Sequence, residues 1–417
     1  MNRLDWFRKA GCGMIVHFGL YSVLGGIYEG TPSPRNSEWI MRHLRIPLAD
    51  YRKLADRFDP QKLDARDIVR RAKDWGMRYI VVTSKHHDGF ALYDSKASDY
   101  NVMHTPYGKD IIRAFADACA EFDMPFGIYY SQMQDWEHPD GNGNTWDYDP
   151  AKQDFRRYFY EKALPQVREL LTNYGDVCLM WFDTPYDMPK ELCRELADTV
   201  KALQPDCLVN GRIGYGLGDY RNMADNSIPR NVYHGAFEVP MSVNRSWGYS
   251  SLDNEWASPG DVIRNLVQVR GRGGNLLINL GPDGDGVVPQ PSIEVLDAVG
   301  QWLRENGESI YDTDPFLDFP YVNRYGDVTY RAANNTLYIH MLRHPGMHPR
   351  LSLLGLASRA SAARLLVGGT ELKFEQAHDI ARDEYRLSIN VPPVAPDPVD
   401  TVIAVQLAEP PRVQELS

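Results

Sequence analysis

The chain has 417 residues, of which 43% are apolar and 24% are charged. These are ordinary proportions for a globular protein with room for one large core and a smaller domain. The 45 basic and 56 acidic residues leave a net charge of −11, which argues against a nucleic acid as a main partner. No run of residues approaches the ~20 apolar residues of a membrane-spanning helix, so no membrane partner is expected.

The cysteines and the first residues bear on the compartment. None of the five cysteines has CxxC spacing, and most lie beside apolar residues. This pattern favours buried thiols in reducing surroundings over a metal or disulfide framework. The first residues contain no long apolar segment, so no signal peptide is predicted. Together these features predict a cytoplasmic protein.

Buried-strand patterns alternate with helical patterns over the first ~310 residues. Strands are predicted at 12–18, 79–83, 125–131, 177–183, 207–210, 236–241 and 274–280. Helices are predicted at 63–75, 109–123, 152–174, 189–203, 258–270 and 292–306. This alternation predicts βα units with right-handed crossovers. Its length favours a closed (β/α)8-like TIM barrel over an open doubly wound sheet. No GxGxxG follows the first strand, so a dinucleotide fold is not supported.

The pattern changes after about residue 314. Short alternating segments appear, such as 337–341 and 401–405, and turns interrupt them every ten or so residues. These features are typical of a β-sandwich. We therefore predict a catalytic barrel at 1–313 and a C-terminal β-sandwich at 314–417.

The run 177–183 (VCLMWFD) is almost entirely apolar and ends in a lone carboxylate, Asp183. A strand buried on both faces has this pattern, and barrel enzymes carry their catalytic groups at the carboxyl ends of such strands. The alternative is that Asp183 caps the following turn. Position alone supports both interpretations.

Other polar and aromatic residues also follow the predicted strands: His17, His86, His87, Tyr129 and Arg212. Each alone has a common structural role, such as a hydrogen-bonded core histidine or an ion-paired arginine. Together with Asp183 they indicate an active site at one rim of a barrel.

The type of chemistry follows from the motifs that are missing. His86 and His87 are adjacent, so in a strand they would point to opposite faces. The sequence has no HxH, no HExxH and no carboxylate set at ligand spacing, so neither a metal nor another cofactor is expected. No GxSxG nucleophile elbow occurs either. Carboxylate chemistry with recognition of hydroxyl groups remains, and this points to glycoside hydrolysis.

Several blocks of the chain, in order, resemble the α-L-fucosidases of glycoside hydrolase family 29. They are 14–19 (MIVHFG), 36–39 (NSEW), 84–90 (SKHHDGF), 128–131 (IYYS) with 135–136 (DW), 180–183 (MWFD), 246–249 (SWGY) and 273–282 (GGNLLINLGP). The resemblance covers residues 1 to about 313, and a C-terminal sandwich is the usual companion domain of these enzymes.

The resemblance implies a retaining exo-α-L-fucosidase that hydrolyses terminal fucosyl linkages of oligosaccharides or glycoconjugates through a covalent fucosyl-aspartate. By position, Asp183 is the nucleophile. The residues carried over to the fucose ring are His17, Glu38, Trp39, His86, His87, Tyr129 and Arg212. Trp247 would form the apolar wall against the methyl group of the sugar.

The general acid/base is harder to place, because family members carry it at varying positions in loops after the VNGR-like segment. Counting back from 228–229 in the loop 218–229 falls on Asp225, whereas counting forward from Asp219 falls on Ala224. We predict Asp225 first and Glu238 second, and Glu255 lies further along. The alternative role of Asp225 is to cap a turn.

Two other functions compete with this prediction. One is a catalytically silent barrel that binds fucose or other carbohydrates, and the other is a metal-dependent hydrolase. The sequence leaves open the preferred linkage and the oligomeric state, homo-oligomers included.

Overall fold

The computed structural model describes residues 2–316 and 325–414. Eight parallel strands form one sheet: β1 Cys12–Val16, β2 Ile80–Lys85, β3 Phe126–Tyr130, β4 Leu179–Phe182, β5 Leu208–Val209, β6 Arg221–Asn222, β7 Phe237–Met241 and β8 Asn275–Leu280. Their order is β5-β4-β3-β2-β1-β8-β7-β6. A parallel bridge between Asn210 and Tyr220 joins the two edge strands and closes the sheet. The predicted TIM barrel is confirmed.

Helices lie between most of the barrel strands. The longer ones are Ala65–Asp74, Ile111–Glu121, Leu164–Asn173, Lys190–Leu203, Pro259–Gly271 and Gln290–Asn306. Shorter helices are Arg3–Lys9, Tyr21–Leu24, Ile40–His43, Leu48–Tyr51 and Phe155–Tyr158, and a π-helical turn, Phe159–Ala163, joins the last of these to the helix after it. Within residues 208–241, all of them described, β5, β6 and β7 follow one another without an α-helix. The barrel therefore departs from eight regular βα units on this side.

The interior of the barrel is filled mainly by apolar and aromatic side chains. Alternate strand residues point inward, as the two-residue period of a strand requires, and Ile15, Val81, Tyr129 and Trp181 belong to one interior cluster. Phe7 of the N-terminal helix joins the same cluster. Because this core fills the barrel, a binding site has to lie above it, at the carboxyl ends of the strands.

The C-terminal part is a β-sandwich, as predicted. One sheet has the strand order Asp314–Pro315, Gly326–Arg331, Thr336–Met341, Thr401–Leu407, Ala360–Leu365, and the other has the order Arg350–Leu354, Glu384–Asn390, Phe374–Asp379. Leu337 and Ile339 of the first sheet share a buried core with Leu387 and Ile389 of the second. Tyr338 points the other way and joins the main cluster of the barrel.

The boundary at 313/314 stays a prediction, and residues 317–324 and 415–417 of the predicted sandwich lie outside the described part. Among the helices that the structure describes, none combines the length and the apolar character that crossing a membrane requires.

Candidate active site

A cavity of about 190 Å³ opens at the carboxyl ends of the barrel strands. Eight of the predicted site residues line it: His17, Glu38, Trp39, His86, Asp183, Arg212, Asp225 and Trp247. Five residues without a predicted role complete the wall: Ile15, Asn36, Trp181, Thr184 and Pro240. Residues predicted from seven separate stretches of sequence therefore converge on one pocket.

Asp183 follows the last residue of β4 and is held by three hydrogen-bond donors. The Tyr129 hydroxyl donates to Oδ2 at 2.9 Å, and Arg212 Nη1 donates to Oδ1 at 2.8 Å. The backbone N–H of Thr184 also donates to Oδ1, at 3.0 Å. Donation from three groups stabilises the negative charge of a carboxylate and fixes its orientation.

Arg212 joins the two carboxylates of the cavity. Its Nη1 donates to Asp183, and its Nη2 donates to Oδ1 of Asp225. Burial alone would lower the pKa of Arg212, but the two carboxylates outweigh it and raise the pKa above its usual value. The guanidinium carbon also lies 4.7 Å from the ring centre of Trp181, within the range of a cation–π contact. The Arg212 guanidinium, which contacts the ring of Trp181, thus positions both acidic groups.

The three histidines are neutral near pH 7 because they are buried. Burial lowers the pKa of His17 to about 4, and it lowers the pKa values of His86 and His87 well below the ordinary value. A neutral imidazole offers one donor nitrogen and one acceptor nitrogen. These rings can therefore recognise hydroxyl groups without adding positive charge to the pocket.

Hydrogen bonds determine the tautomer of His17. Asn279 donates from its amide nitrogen to the Trp247 carbonyl at 2.7 Å, so its amide oxygen, 2.7 Å from Nδ1 of His17, must accept. His17 therefore carries its proton on Nδ1, and its Nε2 is a hydrogen-bond acceptor.

His87 lies behind the cavity wall, with Nε2 3.6 Å from Oδ2 of Asp183. The hydroxyl of Ser131 donates to the Gln134 carbonyl at 2.9 Å and lies 2.7 Å from Nδ1 of His87. Because the hydroxyl proton of Ser131 is donated to Gln134, Nδ1 of His87 must carry a proton and donate it to the oxygen of that hydroxyl group. Its Nε2 then faces the pocket side as an acceptor.

Three buried polar atoms around Asp183 have no hydrogen-bond partner among the described residues. They are Oε1 of Glu38, Nδ1 of His86 and Nε2 of His87. The other oxygen of Glu38 accepts from the Gly248 N–H at 2.9 Å. Burial raises the pKa of Glu38 from its ordinary 4.5 to about 7. Unpaired buried polar atoms cost stability, so their clustering indicates a hydroxyl-rich ligand.

Two glutamines from the loop after β3 hold the backbone around Asp183. Gln132 accepts from the Asp183 N–H at 2.8 Å and donates to the Arg212 carbonyl at 3.0 Å. Gln134 donates to the Thr184 hydroxyl at 2.9 Å. Thr184 has φ 46°, a left-handed conformation that is unusual for a β-branched residue. This conformation places the Thr184 N–H on the Asp183 carboxylate.

The two alternatives for the acid/base lie in different places. Asp225 lines the cavity, whereas Glu238 is fully buried in the barrel interior. Its oxygens accept from the Tyr79 hydroxyl at 2.6 Å and from the Trp181 indole at 2.7 Å. Pro240, two residues further along β7, is the inward residue that reaches the cavity. Glu238 therefore lies beneath the cavity, one inward-facing residue deeper in the barrel than Pro240. Glu255 is ion-paired with Arg245 at the surface.

One expectation about the histidines is wrong. β2 ends at Lys85, so His86 and His87 lie in the following loop, and strand alternation does not apply to them. Their ring centres are 4.1 Å apart; His86 lines the cavity, and Nε2 of His87 lies 3.6 Å from Asp183. Among the described residues, no group of three or more His, Cys, Asp or Glu side chains is arranged to hold a metal ion.

Trp181 and Gln132 were missed by the sequence interpretation. Trp181 lies two residues before Asp183, so the two-residue period of β4 places both side chains on the inner face. Its role could have been found from that spacing. Gln132 and Thr184 act through backbone contacts, which no side-chain motif reveals.

A closed barrel with a strand-end aspartate, a second rim carboxylate and acceptors for hydroxyl groups defines a glycoside hydrolase. A sequence model of the family described as "Alpha-L-fucosidase" matches residues 2–308. The chain belongs to this α-L-fucosidase family.

Solved structures of fucosidases resemble nearly the whole chain or about three quarters of it. The α-L-fucosidase of Vibrio sp. strain EJY3 superimposes with a TM-score of 0.92 at 34% identity, covering 98% of this chain and 73% of that one. Isoenzyme 1 of Paenibacillus thiaminolyticus gives 0.86 at 34% identity, covering 98% and 99%. AlfC of Lactobacillus casei, in complex with its α-L-fucose product, gives 0.71 at 40% identity, covering 73% and 99%.

Proposed function

We propose that this enzyme is a retaining exo-α-L-fucosidase, with Asp183 as the nucleophile and Asp225 as the general acid/base. The observation that carries the proposal is the shared guanidinium of Arg212, which holds both carboxylates at one cavity. Retaining enzymes keep their two carboxyl groups ~5–5.5 Å apart, whereas inverting enzymes separate them by ~6.5–9.5 Å. Two carboxylates on neighbouring nitrogens of one guanidinium support the shorter separation.

In the first step, a carboxylate oxygen of Asp183 attacks the anomeric carbon of the fucosyl group. A bond forms between that oxygen and C1, and the bond from C1 to the glycosidic oxygen breaks. Protonated Asp225 delivers its proton to the departing oxygen, so the aglycone leaves as a neutral alcohol. The hydrogen bonds from Tyr129, Arg212 and Thr184 keep the carboxyl group of Asp183 in place while its negative charge is lost.

In the second step, Asp225 accepts a proton from a water molecule. The water oxygen bonds to C1 on the face that the aglycone left, and the ester bond to Asp183 breaks. Free fucose leaves with the configuration of the substrate. Both carboxylates then regain their starting protonation states.

Recognition of the sugar rests on the acceptor atoms of the cavity. Nε2 of His17 and Oε1 of Glu38 accept hydrogen bonds from sugar hydroxyl groups, and His86 adds a further polar contact. Trp247 packs at a ring-centre distance of 5.4 Å from His17 and offers an apolar surface to the methyl group of a 6-deoxysugar.

The size of the pocket supports exo action. A small cavity of about 190 Å³ at the carboxyl ends of the strands is suited to one terminal sugar ring. The complex of AlfC with α-L-fucose supports the choice of sugar for this chain.

Azide with an aryl fucoside tests the assignment of both carboxylates. We expect Asp225→Gly to regain turnover with azide and to form fucosyl azide of retained configuration, because azide replaces water on the fucosyl-enzyme. For Asp183→Gly, azide would replace the nucleophile and give the inverted product. Rescue of Glu238→Gly instead of Asp225→Gly would reject our choice of acid/base. Binding of fucose by the wild-type chain without any release of nitrophenol would favour a silent binding barrel.

A further inference from the structure

Two exposed tyrosines belong to the loops that carry Asp183 and Arg212. Tyr186 is three residues after Asp183, and Tyr215 is three residues after Arg212. Their exposed fractions are 58% and 53%, among the highest of the large apolar side chains in the described barrel. Neither residue takes part in the steps proposed above.

Both tyrosines have an unusual backbone conformation. Tyr186 has φ 37° and Tyr215 has φ 52°, left-handed conformations that bulky residues rarely adopt. Tyr215 stands between Gly214 and Gly216, which also have positive φ. Strained positions of this kind cluster at catalytic sites and ligand clamps.

The ring of Tyr215 is held in place while much of its surface faces solvent. Its hydroxyl donates to the carbonyl of Met188 at 2.9 Å, which ties the loop after β5 to the loop after β4. The amine of Lys190 lies 6.0 Å from the ring centre. A fixed aromatic face with a charged donor nearby is suited to a pyranose ring, which has apolar C–H faces and hydroxyl edges.

We propose that Tyr215 and Tyr186 form the binding surface for the sugar to which the fucose is attached. The inference rests on the proposed function, because it takes Asp225 as the acid. Asp225 must reach the glycosidic oxygen, so the leaving sugar lies on the Asp225 side of the cavity. Tyr215 belongs to the loop between β5 and β6, directly before the loop of Asp225, and Tyr186 belongs to the loop that Tyr215 contacts. The ligand class is a hexose or N-acetylhexosamine ring.

The test compares two substrates in the same variants. α-L-Fucosyl fluoride has no aglycone sugar, whereas a fucosyl-N-acetylglucosamine disaccharide has one. For Tyr215→Ala we expect kcat/KM for the disaccharide to fall about three- to tenfold, as expected for the loss of one ring contact. The value for the fluoride should stay within twofold. Tyr186→Ala should show the same selectivity to a smaller degree.

Controls separate a binding role from a structural one. Tyr160→Ala removes a tyrosine that is 46% exposed on the outer helices and whose hydroxyl donates to Glu195. We expect it to leave both substrates unchanged. Tyr215→Phe loses the hydrogen bond to Met188 but keeps the ring, so it should retain most disaccharide activity. If Tyr215→Ala is unstable, Tyr186→Ala provides the test.

Equal losses for both substrates, or no loss for the disaccharide in either alanine variant, would overturn the inference. Inactivity of the wild-type enzyme on both substrates would instead reject the proposed function, so the two failures are distinguishable.

Discussion

Arg212 lies 2.8 Å from Asp183 through Nη1, and the same guanidinium leaves its second terminal nitrogen for Asp225. An arginine provides two such nitrogens in one rigid plane, whereas a lysine provides a single ammonium point. The relationship between the two acidic groups therefore depends on a planar, forked cation.

Arg212→Lys should lower kcat for an aryl fucoside by about 10²- to 10³-fold, the usual cost of losing a preorganised donor at a reacting group. The charge is kept, so long-range electrostatics change little, and the loss reports the geometry. Steady-state kinetics with a thermal unfolding control would measure it. Activity within tenfold of wild type would show that the fork is not needed.

Gln132→Leu should lower kcat at least tenfold and destabilise the fold by about 2–4 kcal/mol. The buried N–H of Asp183 and the carbonyl of Arg212 lose their partner, and each unpaired group costs ~1–3 kcal/mol. Urea unfolding and kcat are measured in parallel.

The matched control is Gln166→Leu. Gln166 is also fully buried, but its partners are the hydroxyls of Tyr130 and Ser95 rather than residues of the site. A comparable loss of stability with unchanged kcat is expected. If both variants lose kcat equally, Gln132 has no specific positioning role.

Glu238 should make stability depend on pH. Burial raises its pKa from the ordinary 4.5 to about 7. Between these values the folded chain keeps a proton that the unfolded chain releases, so this carboxyl contributes a loss of stability as pH rises through that window. Glu238→Gln removes the titration. The free energy of unfolding of Glu238→Gln minus that of wild type should therefore rise by a few kcal/mol between pH 4.5 and 8.

Urea unfolding at a series of pH values would measure that difference, and using the difference cancels the groups that both proteins share. The buried histidines, whose pKa values are lowered, oppose the trend in both proteins because they lose stability as pH falls. A constant difference between the two proteins across the window would contradict the buried, titrating state of Glu238.

Asp135→Asn should destabilise the fold by about 3–5 kcal/mol, the cost of leaving buried charge unpaired. Lys85 and Lys162 lie 2.9 and 3.0 Å from Asp135, and all three side chains are almost fully buried. Asp50→Asn removes an exposed partner of Lys53 and is the control, with an expected change below about 1 kcal/mol. Similar small effects in both variants would mean that water reaches the buried cluster.

The sequence was informative where side-chain periodicity carries the signal. The apolar run 177–183 yielded the strand Leu179–Phe182 and the rim position of Asp183. β6 was missed because it has two residues, Arg221 and Asn222, both polar, and pairs with β7 only through tertiary context. The depth of Glu238 could not be predicted either. The two-residue period shows which face of β7 a side chain occupies, but not its height within the barrel.

The backbone details of the site could not be predicted. The left-handed conformation of Thr184 places an N–H on Asp183 against the preference of a β-branched residue. In this conformation Thr184 accepts a hydrogen bond from Gln134, fifty residues away in the chain, and local sequence does not encode that contact. The same applies to Tyr186 and Tyr215.

Trapping the intermediate tests the central claim most directly. In a 2-deoxy-2-fluoro-fucosyl donor, the fluorine slows both steps, and a good leaving group restores the rate of the first step only. The ester with Asp183 therefore accumulates. After proteolysis, mass spectrometry should find one fluorofucosyl group on the peptide that contains Asp183, attached to that residue. A label on any other residue, or full turnover to the inverted anomer without a covalent adduct, would contradict a mechanism based on Asp183.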